Sequence, residues 1–149
     1  MRLALLALVA CSKPEPEVAA RAGGKVEILE TPATGDLVAY VAGEVKRGEA
    51  DHVPVLVYVG ATWCEPCREL HAAATAGTLD APLGPLRLLE FDLDRDGTWL
   101  EAAGYKSPLV PLIAKPRPDG RASGKQLAGV KTGQSYVDQL TRGIAGLLP

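Results

Sequence analysis

The chain has 149 residues, of which 47% are hydrophobic and 23% charged, and its net charge is −2. That length suits one ordinary domain, and nothing in the charge balance suggests a nucleic-acid partner or a basic membrane-binding face. Only 5% of the residues are aromatic, so the core must rest on Leu, Val, Ile and Ala.

The chain opens like an export signal. Arg2 gives one positive charge, and residues 3–10 form an apolar run. The run is too short to cross a bilayer, which takes about 20 apolar residues. It has the order of a compressed secretory leader. Leu8-Val9-Ala10-Cys11 resembles the lipobox of bacterial lipoproteins. That resemblance implies removal of residues 1–10, lipidation of Cys11, and anchorage to a bacterial membrane on its periplasmic side. Residues 11–24, rich in Pro, Glu, Ala and Gly, are expected to be a flexible tether. The folded domain is then 25–149. With Cys11 acylated, Cys64 and Cys67 are the remaining thiols, outside the reducing cytosol.

Apolar and charged residues alternate over 25–30, which predicts an edge strand with Val26 and Ile28 on one side. Thr31-Pro32 predicts a helix start, after which Leu37, Tyr40, Val41 and Val45 recur at helical spacing. Residues 48–52 read as a turn. Residues 53–59, VPVLVYV, suit a strand buried on both faces of a parallel sheet. A helix is expected from near Cys64 to Ala76, with Gly77 as its stop. Residues 78–85 read as loop and 86–93 as strand. Thr98-Trp99-Leu100-Glu101 has the capping-box pattern and predicts a short helix ending at Gly104. Residues 109–114 read as a strand, although Pro111 cannot donate to a ladder. A turn over 116–120 leads to a return strand over 121–129. Thr132 is the expected cap of a last helix that carries Val137, Leu140, Ile144 and Leu147 on one face. The order β-α-β-α-β-α-β-β-α defines an α/β domain with a parallel part and a terminal hairpin.

Cys64 and Cys67 stand in the stretch Trp63-Cys64-Glu65-Pro66-Cys67, between the central strand and a helix. A redox pair, a share of a metal site and a structural staple are the readings to weigh. The free N–H groups and the dipole at a helix N-terminus favour an anion, which lowers a thiol's pKa and raises its thiolate fraction. Cys67 lies one helical turn later, within reach to resolve a mixed disulfide. Pro66 suits the first turn, and Trp63 is expected to pack beside the pair and shield it. Zinc needs four ligands, and only His71 and the distant His52 are available beside the two thiols. His71 reads as a plain surface residue. The acidic run from Asp92 to Gly97 mimics an EF-hand loop, but Ala103 stands where its bidentate Glu belongs. A staple across a two-residue spacing closes too small a loop to remove much unfolded-state entropy.

These residues resemble the active site of the thioredoxin superfamily, and Val110-Pro111 resembles its cis-proline. The resemblance covers 25–148. It implies a thioredoxin fold, a central mixed sheet with helices on both faces. Cys64 would attack and Cys67 resolve, while Val110 and Pro111 hold the substrate strand. Protein thiols or disulfides would be the substrates, an upstream dithiol the electron donor, and no metal or organic cofactor would be needed. The layout resembles periplasmic thioredoxin domains of the disulfide-interchange type. The Glu-Pro pair instead resembles reductases of cytochrome c maturation. A non-catalytic peptide-binding lipoprotein is the alternative from another class. The chain departs from the family at Tyr58, where thioredoxin has a buried acid, and at Glu90, where it has a lysine. Glu90 is therefore a candidate proton acceptor for Cys67. Glu65 places a negative charge beside Cys64, which favours a reductant over an oxidant.

Overall fold

The structure, a computed structural model, describes residues 24–149. The expectations for residues 1–10, for Cys11 and for nearly all of the tether lie outside these residues.

Strand β2, Val55–Gly60, explains its apolar run by having a core on each side. Leu56 and Tyr58 enter one core, while Val57 and Val59 enter the other. Strand β3, Leu86–Asp92, lies parallel beside it and divides Leu86 and Leu88 from Leu89 and Phe91 in the same way. Strand β1, Val26–Glu30, pairs with β3 in parallel at the sheet edge. Strands β4, Leu112–Pro116, and β5, Ala122–Ala128, complete the sheet as antiparallel neighbours. The sheet order is β1-β3-β2-β4-β5.

Helices cover both faces. Helix α1, Leu37–Asp51, and α4, Leu93–Ala102, bring Val41 and Leu100 onto Val57, Val59 and Phe91. On the other face, α2, Glu65–Thr75, the short α3, Asp80–Leu83, and α5, Tyr136–Ala145, pack Leu70, Leu83 and Leu140 onto Leu56 and Ile113. The expected α/β architecture, a mixed sheet between helix layers, is the observed one.

Several element boundaries differ from expectation. Thr31 does not start a helix. Its N–H and its hydroxyl both donate to the Glu90 carbonyl, which carries the pairing of β1 one residue further. Asp36 caps α1 instead, accepting the Ala39 N–H at 3.0 Å. The helix then runs through the expected turn to Asp51, and His52 ends it with φ 57°. Asp92 caps α4 by accepting the Arg95 N–H at 2.9 Å, so Thr98 to Glu101 fall inside that helix. The expected loop over 78–85 contains α3, and Ser135, not Thr132, occupies the N-cap of α5. Strand β4 begins after Pro111, which removes the conflict of a proline within a ladder.

Candidate active site

The parallel strands β1, β3 and β2 end together, and the site is built at that end. Beyond Gly60 the chain turns, with the Cys64 N–H donating to the Ala61 carbonyl at 3.0 Å. Cys64 is the N-cap of α2, and its Sγ accepts the Cys67 N–H at 3.2 Å. Cys64 and Cys67 form a disulfide with their Cα atoms 5.2 Å apart. Both residues are buried in the oxidised state, at 3% exposure each. Pro66 sits in the first turn of α2, and its carbonyl accepts the Tyr136 hydroxyl from α5. This contact ties the first turn of α2 to the last helix. Once the disulfide opens, a thiolate at Cys64 would face the free N–H groups of a helix N-terminus.

Trp63 is not a shield. It is 61% exposed, and its indole N–H donates to Asp94 Oδ2 at 2.9 Å, at the start of α4. Val110 is half-buried and joins both cores, and the Val110–Pro111 peptide bond is cis. Leu112 pairs with Val59, so Pro111 falls at the level of Gly60, the end of β2 that leads to the cysteines. The Pro111 carbonyl accepts the Gly129 N–H at 3.1 Å. Gly129 has φ +68°, a left-handed conformation that favours glycine, and a Cβ there would also stand 2.6 Å from Leu109 Cδ1. Leu109 and Trp63 are the exposed large apolar side chains among the described residues.

Beneath Cys67 lies a cavity of about 380 Å³ lined by Tyr58, Cys67, His71 and Glu90. Tyr58 is fully buried, and its hydroxyl has no hydrogen-bond partner. Burial first, then the nearby Glu90 and Tyr136, pushes the Tyr58 phenol well above the usual tyrosine range. Glu90 pairs in register with Tyr58 across β2 and β3. His71 Nε2 lies 2.7 Å from Glu90 Oε1, so His71 is not the plain surface residue expected from the sequence. The signal was present in the spacing: His71 follows Cys67 by one helical turn and therefore shares its face. The acidic run after β3 is occupied by local structure. Asp92 caps α4, and Asp96 accepts the Asp92 N–H at 3.0 Å and the Arg95 guanidinium.

The strand order, the two helix layers and the disulfide at the start of α2 define a thioredoxin-fold domain with a Cys-x-x-Cys site. No family model matches the chain. The chain is 29% identical to a thioredoxin H-type of Chlamydomonas reinhardtii over 82 residues, 55% of this chain and 66% of that relative. The match therefore spans just under two thirds of the relative. The structure is similar to that of a disulphide isomerase from Xylella fastidiosa Temecula1, with TM-score 0.54 and 20% identity over 77% of this chain and 95% of that one. It is also similar to oxidised thioredoxin O1 from Arabidopsis thaliana, with TM-score 0.52 and 18% identity over 83% and 98% of the two chains. These likenesses establish the thioredoxin fold.

Proposed function

We propose that this protein is a thiol-disulfide oxidoreductase that reduces disulfides in exported proteins. The Cys64–Cys67 disulfide at the N-terminus of α2 carries this reading. In the reduced protein, the Cys64 thiolate attacks a substrate disulfide and releases one substrate thiolate. Cys67 loses its proton and attacks the Cys64 sulfur. The second substrate thiolate leaves, and the enzyme's disulfide re-forms. One electron pair passes from the enzyme dithiol to the substrate, and an upstream dithiol donor restores it. Val110 and Pro111, level with Gly60, supply the backbone edge for the substrate strand. Trp63 and Leu109 add exposed apolar surface for it.

Glu65, in the first turn of α2, supports the direction of electron flow. Its charge opposes a thiolate at Cys64, and a less stabilised thiolate makes the disulfide a weaker oxidant. The leader and Cys11 add the location, a lipid anchor on the periplasmic side of a bacterial membrane.

Insulin reduction driven by dithiothreitol tests the activity. Cys64→Ser should lower the catalysed rate to background, and Cys67→Ala should accumulate a mixed disulfide with substrate. A catalysed rate indifferent to Cys64 would leave only a peptide-binding domain. A reduction potential close to those of strong periplasmic oxidants, about −120 mV, would reverse the direction.

A further inference from the structure

Three features meet under the resolving cysteine: a buried hydroxyl without a partner, a histidine–carboxylate pair, and a cavity that joins them to Cys67. We propose that His71, oriented by Glu90 and reached from Cys67 through this cavity beside the Tyr58 hydroxyl, accepts the proton that Cys67 loses when it resolves the mixed disulfide. The inference rests on the oxidoreductase reading and names the acid–base group of the same site.

A Cβ built on Gly60 would stand 2.6 Å from the Tyr58 hydroxyl and 3.5 Å from Cys67 Sγ. The hydroxyl and the sulfur therefore flank the same small space over Gly60. The Tyr58 and His71 rings lie with centroids 6.0 Å apart, which places the imidazole next along the cavity wall. Against an ionised Glu90, the hydrogen sits on His71 Nε2, and Nδ1 remains as the acceptor. Proton uptake makes an imidazolium, which the same carboxylate stabilises. The His71 side chain is 44% exposed, so the proton can pass on to solvent.

An orphaned phenol is costly inside a protein unless the site uses it. Tyr58 can donate to a water in the cavity that stands between sulfur and imidazole, or to the thiolate itself. The charged groups around the pair are mixed. Glu30 from β1, Arg68 from α2, and Asp92 and Arg95 at the start of α4 line the same cavity. Tyr136 of α5 also acts on Tyr58 and raises its pKa.

The steps balance. The Cys67 S–H bond breaks and its proton goes to His71 Nδ1. A bond forms between the Cys67 and Cys64 sulfurs, and the bond from Cys64 to the substrate sulfur breaks. That substrate sulfur departs with the electron pair. The attack by Cys64 needs no proton acceptor once its thiolate has formed, so loss of the imidazole slows resolution and spares attack.

Rapid mixing of the reduced protein with the aromatic disulfide dithiobis-nitrobenzoate separates the two steps. The first coloured thiolate reports attack, and the second reports resolution. His71→Gln should leave the first phase unchanged and slow the second at least about tenfold near neutral pH. The deficit should close by about pH 9, where bulk hydroxide can take the thiol proton. Glu90→Gln should slow the second phase less, and Tyr58→Phe less again. Imidazole in the buffer should restore the second phase of His71→Gly, which a purely structural role for His71 would not allow. If His71→Gln keeps the wild-type pH profile of resolution, or if imidazole has no effect on His71→Gly, the relay is wrong and the oxidoreductase reading stands. If wild-type protein shows no second phase and no Cys64-dependent insulin reduction, both are wrong.

Discussion

A phenol hydroxyl with no hydrogen-bond partner is unusual inside a protein, and Tyr58 keeps one while fully buried. Gly60 makes the room for it, because a Cβ there would lie 2.6 Å from the hydroxyl and 3.0 Å from Cζ. Gly60 is the last residue of β2, and the Tyr58 oxygen is the steric reason for a glycine there. Tyr58 is enclosed and cannot swing aside, so Gly60→Ala should destabilise the fold by about 2 kcal/mol through overpacking. Tyr58→Phe removes the orphaned oxygen and should leave stability unchanged or raise it by about 1 kcal/mol. In the Tyr58→Phe background, Gly60→Ala should cost less than half as much, because the nearest clash is gone. Urea unfolding of the four proteins checks this. Equal costs in both backgrounds would show that the two residues do not meet. A stability gain accompanied by slower resolution in Tyr58→Phe would mark the hydroxyl as retained for chemistry rather than for packing.

At the scale of elements, the buried strands and the start of α2 at Cys64 were legible, and the starts of α1, α4 and α5 were not. Strands β2 and β3 read correctly because both faces are covered, so the requirement falls on nearly every residue. Caps depend on where the preceding strand stops, which tertiary pairing decides. Thr31-Pro32 has the right local chemistry for a helix start, yet Thr31 is held to Glu90, 59 residues away in sequence. Thr98 to Glu101 match a capping box, but α4 has already begun at Leu93 because Asp92 accepts the Arg95 N–H. Two substitutions separate these readings. Asp92→Ala should cost about 1 kcal/mol, the usual loss for a removed cap, whereas Thr98→Ala should change stability by less than about 0.5 kcal/mol. The reverse order in chemical denaturation would restore the cap to Thr98. The cysteines and Pro111 were legible because their motif has a fixed spacing and context. The His71–Glu90 pair was not, because the packing of α2 on β3 brings together residues 19 apart.

For the whole molecule, the parallel arrangement of β1, β2 and β3 fixes two poles. The strand starts gather at one, where the Lys25 carbonyl accepts the Leu86 N–H at 3.1 Å and the Pro54 carbonyl accepts the Arg87 N–H at 2.9 Å. Gly24 lies at this pole, against Pro85. The strand ends gather at the other, where Gly60 leads into the turn that carries Cys64. A chain anchored through Cys11, as proposed, would join the domain at the pole opposite the disulfide. The thirteen steps from Cys11 to Gly24 span at most about 45 Å when fully extended. The tether would then join the domain at the base of the sheet and leave Cys64, Trp63 and Pro111 open to protein partners. Because Gly24 lies at the pole opposite the disulfide, anchoring and catalysis should separate cleanly. Cys11→Ser, expressed with its leader in a bacterium, should move the protein from the membrane fraction to the soluble one. Its Cys64-dependent insulin reduction per molecule should stay at the wild-type level. An unchanged membrane distribution would refute the anchor. A loss of specific activity in the released protein would refute the two-pole separation, because it would place the N-terminal segment at the disulfide.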